Sequence, residues 1–178
     1  MNTKMFFGLI LALANIGLAL LGFFLGFQTD KIAQGQWFGL LSLIALAAVL
    51  WFGIRAVRAE AKDGALTYGK GVGSGFLISL YGGLIGSLYS FVHFTFINPN
   101  FVDYQLDLTR EKWTQAGLGE AQIATAEKFT RFFLSPVMMS ITGLVMTLLL
   151  GTVIALILAA FLKRAPRLED QSVPPEQI

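Results

Sequence analysis

Four apolar stretches of this sequence, 5–27, 37–54, 71–97 and 137–162, contain no Asp, Glu, Lys or Arg. As helices they reach about 27–40 Å, against a hydrocarbon core of about 30 Å. A folded soluble chain has no use for four such runs, because its surface needs charge. Only 13% of the residues are charged and 55% are hydrophobic, whereas soluble domains carry about 25% charge. A soluble enzyme, a nucleic-acid binder and a disordered chain are excluded together. No cysteine is present, so disulfides and thiolate metal sites are excluded too.

The expected fold is an all-α integral membrane protein with four transmembrane helices in a single domain, 1–164. Trp37 and Trp51 stand near opposite ends of the second run, as interfacial aromatics do. The first run exceeds the usual apolar length of a secretion signal and lacks a small-x-small cleavage site, so it reads as a permanent anchor. Orientation follows from Lys and Arg. The 55–70 connection carries Arg55, Arg58, Lys62 and Lys70, the segment after the fourth run carries Lys163, Arg164 and Arg167, and the first connection has only Lys31. The positive-inside rule then places that 55–70 connection and both termini in the cytoplasm. Segment 98–135 becomes an extracytoplasmic helical hairpin. Asn98-Pro99 reads as an N-cap and first helical residue, Gly117-Leu118-Gly119 as the break, and Ser135-Pro136 as the cap of the last span. Phe101, Tyr104 and Leu108 mark one face of its first helix, and Ile123, Ala126, Phe129 and Phe133 one face of its second. Residues 165–178, proline-bearing with little to bury, are expected to be disordered.

Small residues recur at helical spacing. Gly71, Gly75, Ser79, Gly83 and Ser87 fall every fourth residue in the third run, as do Gly143, Thr147, Gly151, Ala155 and Ala159 in the fourth. In lipid, where no hydrophobic drive holds helices together, such rows let backbones approach. The two rows are expected to face each other with right-handed crossing. A homodimer seam is the other use of such a surface. In the first run Gly8, Ala12, Asn15, Ala19, Gly22 and Gly26 alternate steps of four and three. Asn15, in mid-span, is expected to bond to a neighbouring helix. Phe52–Arg58 and Phe161–Arg167 both fit Phe-x-x-Arg-Ala-x-Arg, which basic helix ends at the inner face produce without any duplication.

Candidates for chemistry are few. No ionisable side chain except His93 falls within a span, which weighs against ion-coupled transport and proton relays. Tyr89 lies one turn from His93 and Tyr81 two turns further, so the three are a possible ligand or lipid contact. For His93 itself a hydrogen-bonded structural role competes with ligand contact or proton sensing. Lys70 opens a glycine-rich helix start that lacks the phosphate-loop pattern, yet it could meet a lipid phosphate at the inner leaflet. Catalytic residues, a metal site and a cofactor are not expected, because no acid–base or nucleophile pair is in view.

The strings Leu66-Thr67-Tyr68-Gly69-Lys70-Gly71, Phe96-Ile97-Asn98-Pro99-Asn100-Phe101, the Gly-Leu-x-Glu-x-Gln-Ile of 117–123 and Phe133-Leu134-Ser135-Pro136 stand in order along the chain. In that order the chain resembles a family of small bacterial inner-membrane proteins, domain of unknown function 4199, from about residue 4 to 164. The resemblance implies a four-helix protein of the bacterial cytoplasmic membrane and brings no activity. The sequence therefore suggests a non-enzymatic scaffold or modulator of membrane partners. Its rival is a carrier of lipid or a small apolar molecule, with the outer hairpin as a lid. The expected partners are membrane lipid, other membrane proteins or a second copy, and not nucleic acid.

Overall fold

Each charge-free run becomes a helix, with ends set by local chemistry. The computed structural model describes residues 2–61 and 64–165. Lys62, Arg167 and all of the expected disordered tail except Ala165 lie outside them. Helix α1 (Thr3–Phe24) is capped by the Asn2 side chain, which accepts from the Lys4 N–H at 3.1 Å. It stops three residues short of the expected 27. Gly26 adopts φ +81°, and the Phe27 and Gly26 N–H groups close onto the Gly22 and Phe23 carbonyls. That is a Schellman cap, which requires a residue able to take the left-handed region.

Helix α2 (Gln36–Ala59) overruns its expected end at 54. Arg55 and Arg58 ride on its last turns, so much of the expected 55–70 loop is helix. Arg58 Nη1 donates to the Leu162 carbonyl at 3.4 Å, placing a cation at the C-terminal end of another helix. Helix α3 (Tyr68–Val92) starts before 71, because Thr67 accepts the Lys70 N–H at 3.3 Å as its N-cap. Lys70 belongs to its first turn. Beyond Val92 the chain winds one wider turn, His93–Ile97, closed by the Asn98 N–H on the His93 carbonyl at 2.7 Å.

Helices α4 (Phe101–Gln115) and α5 (Glu120–Phe133) follow, joined through Gly117 at φ +79°. Arg110–Glu127 at 3.4 Å and Arg131–Asp103 at 2.9 Å hold them antiparallel. Asn98 and Pro99 do not begin α4 as expected. Asn100 is its N-cap residue, and the Asn98 side chain is turned inward to the Gln28 carbonyl. Helix α6 (Pro136–Leu162) has Pro136 in its first turn, and Ser135 accepts from the Met138 N–H. Among the described residues the fold is all-helical, and four of its helical stretches are long and apolar enough to cross a membrane.

Helix α3 packs on α6, α1 and α2, its contact with α6 being the most extensive. The dry core lies toward the basic end, where α2 and α6 finish and α3 starts. Leu50, Ile54, Ile78, Ala155 and Ala159 are fully buried there, joined by Leu46, Leu66 and Leu162. Leu66 and Arg164 close that end by pairing backbone N–H and C=O both ways at 3.0 Å. Toward the His93 end the packing changes. Segments 13–21, 37–45, 84–92 and 141–150 contain no buried residue. All four long helices share this loosened band.

Candidate binding crevice

The small-residue rows of α3 and α6 meet over part of their length. A β-carbon on Gly71 would stand 2.9 Å from the Ala159 Cβ, one on Gly75 would overlap the Ala155 methyl, and one on Gly151 would overlap the Ser79 side chain. Gly83 faces Leu144 and Thr147, with Cβ separations of 2.9 and 3.5 Å. Helix axes this close leave no room for a larger side chain. Helix α1 docks on α3 in the same manner, Gly8 against Tyr81 Cβ (2.5 Å) and Gly82 against Leu11 (2.7 Å).

The rows then part. A β-carbon on Gly143 or on Gly86 would meet nothing within 4 Å on any other helix, and Ser87 is only half-buried. Gly143, expected to pack, does not. Instead a cavity of about 150 Å³ opens there, walled by Asn15, Gly83, Gly86, Ser87, Ser90, Gly143 and Thr147 among others. A second cavity of about 170 Å³ adjoins it, sharing Asn15, Gly86 and Ser90 and continuing to Ala19, Tyr89, His93 and Phe94. Together they form one crevice between α1, α3 and α6, within the loosened band.

Its polar lining is under-used. The hydroxyls of Ser74, Ser140 and Thr152 donate to carbonyls four residues back at 2.6–2.7 Å, the normal way for a helical hydroxyl to be satisfied in lipid. Ser87, Ser90 and Thr147 form no side-chain hydrogen bond among the described residues, and all three line the crevice. Asn15 donates to the Leu11 carbonyl of its own helix at 2.9 Å, not to a neighbouring helix as expected.

Above the crevice sits a polar latch. His93 is 1% exposed, with Tyr89 Oη 3.0 Å from Nδ1 and Gln28 Oε1 2.8 Å from Nε2. The Gln28 Nε2 donates to the Ala19 carbonyl at 2.9 Å, so its Oε1 must accept from His93. That places a proton on Nε2, and the Tyr89 hydroxyl, able to donate or accept, partners Nδ1. Asn98 Nδ2 adds a bond to the Gln28 carbonyl at 3.3 Å, and the Phe23 and Phe94 rings meet the imidazole edge to face. Both ring nitrogens are therefore occupied. The wide turn His93–Ile97 is what brings Asn98 onto Gln28.

The four expected ligand residues do not form one site. Tyr89 and His93 line the crevice. Tyr81 packs on α1 at Gly8, about 18 Å from His93 by helix rise. Lys70 stands about 35 Å away along the same helix, beside but not lining a hollow of about 370 Å³ between Thr67, Tyr68, Lys163 and Arg164. Gln28, the hub of the latch, does not stand out in the sequence. Its only sequence signal is an amide beside an apolar run at the same level as His93, and 65 residues separate the two.

The family model described as protein of unknown function (DUF4199) matches residues 6–164. No curated protein and no solved structure matches this chain.

Proposed function

We propose, for a chain that belongs to the family of unknown function DUF4199, a non-enzymatic protein of the bacterial cytoplasmic membrane that binds a lipid or another small apolar molecule between its helices. The observation that carries this reading is the crevice between α1, α3 and α6. Tight packing on one side of it means that rows of small residues suffice to close the bundle, so the gap is not forced by bulk. A scaffold needs no such gap, and for that reason the binding reading is preferred to the scaffold that the sequence alone suggests. Helices α4 and α5 act as an outer cover in this scheme, tied to the crevice through Asn98, Gln28 and His93.

The test is native mass spectrometry of protein released in mild detergent. A small-molecule adduct is expected on the wild type and is expected to vanish in Gly86→Leu, whose side chain would project into the crevice. Protein free of adduct, or an adduct indifferent to Gly86→Leu, sinks the reading and returns the choice to a scaffold recognised by its partners.

The arrangement in the membrane is tested separately. Reporters inserted after Ala61 and after Ala165 are expected to score cytoplasmic, and one at Gly117 external, because basic segments stay inside. The opposite scores would put the crevice in the inner leaflet.

A further inference from the structure

Resting on the reading of the crevice as a binding site, we infer that its occupant carries a neutral, hydroxyl-bearing head on an alkyl chain. The crevice lining fixes the head. Ser87, Ser90 and Thr147 present hydroxyls to the space and make no hydrogen bond among the described residues, unlike Ser74, Ser140 and Thr152; Ser79 and Thr95 also lack a partner but are sealed away from the crevice. Asn15 gives one amide proton to Leu11 and keeps its Oδ1 and second proton free among the described residues. In hydrocarbon such groups cost several kcal/mol each when unpaired, so the matching ligand offers both donors and acceptors.

Charge is disfavoured. No Asp, Glu, Lys or Arg lines the crevice, and both nitrogens of His93 are already engaged. A carboxylate or phosphate would enter without a counter-charge, at a penalty that an intramembrane site meets only by pairing. Size is limiting as well. The hydroxyl-lined cavity is about 150 Å³ and its neighbour about 170 Å³, a space suited to a small polar head such as glycerol's. The chain belongs outside the polar pocket, where Leu84, Leu88 and Ile141 are exposed on the flanking helices.

The probes are 1-monooleoylglycerol, methyl oleate and oleate at pH 9, titrated onto delipidated protein and read as adducts by native mass spectrometry. The first is expected to half-saturate at a concentration at least about tenfold below the other two, a gap that one or two extra hydrogen bonds provide. In the double variant Ser87→Ala, Ser90→Ala the advantage over methyl oleate is expected to fall to about twofold or less. Equal binding of monooleoylglycerol and methyl oleate, with both lost in Gly86→Leu, overturns the head-group inference while the crevice stays a binding site. Preference for oleate overturns neutrality. Retention of all three in Gly86→Leu overturns the binding site itself. A variant that aggregates is replaced by Gly143→Leu, which enters the same space from α6.

Discussion

Gly151→Leu is expected to be the most damaging single substitution in the bundle, costing about 3 kcal/mol, the upper end for overpacked cores. A β-carbon there already collides with Ser79, and Ser79 cannot yield because it is itself fully buried against α6. Gly75→Leu is expected to behave alike, since Ala155 is fully buried opposite. Gly143→Leu lies two turns from Gly151 on the same row and is expected to leave stability unchanged within about 0.5 kcal/mol, as open sites do. The measurement is the temperature of half-aggregation in one detergent for all three variants. Equal loss at Gly143 and Gly151 would show that the two halves of the row pack alike, with no open half.

His93→Phe is the second large effect, about 2 kcal/mol. The ring volume is nearly kept, so cavity formation is minor and the hydrogen bonds decide. Bonds between helices in a bilayer average only about 0.6 kcal/mol each. Here two partners, Gln28 Oε1 and Tyr89 Oη, lose their shared imidazole at once, and a stranded buried group costs about 1–3 kcal/mol. Gln28→Leu should destabilise by a similar amount, and the double variant by little more than either alone. Additive losses in that cycle would mean that His93 and Gln28 stabilise the fold independently. The latch would then be a chance adjacency.

Where sequence and structure agree, exclusion of charge is the reason. A helix in lipid must satisfy its own backbone and tolerates almost no ionised group, so the four long helices are written in the placement of Lys, Arg, Asp and Glu. Their ends obey shorter-range rules that composition hides. The left-handed Gly26 closes α1 early, whereas Arg55 and Arg58 extend α2, because a cation near a helix C-terminus stabilises the last turn it rides on. Asn98 looks like an N-cap by its proline neighbour and serves instead as a tertiary contact, a choice made by Gln28 from 70 residues away. The crevice is the least legible feature. Gly75 and Gly143 are the same residue in the same kind of row. Whether a glycine is filled by a neighbour or left open depends on how far apart the helices stand at that level, and a spacing of four carries no such information.

The paired backbones of Leu66 and Arg164 act as a pivot. They fasten the start of α3 to the end of α6, so a separation of these two helices that keeps both bonds is largest at their far ends. Helix α6, with 27 residues, is about 40 Å long. A swing of about 5° about the fastened end would move the far end by about 3.5 Å and the level of Gly143 by about 2.5 Å. The tight rows near the pivot hardly move in such a swing. Such a swing, hinged at the basic end, would widen the crevice on its α6 side and leave the rows beside the pivot closed.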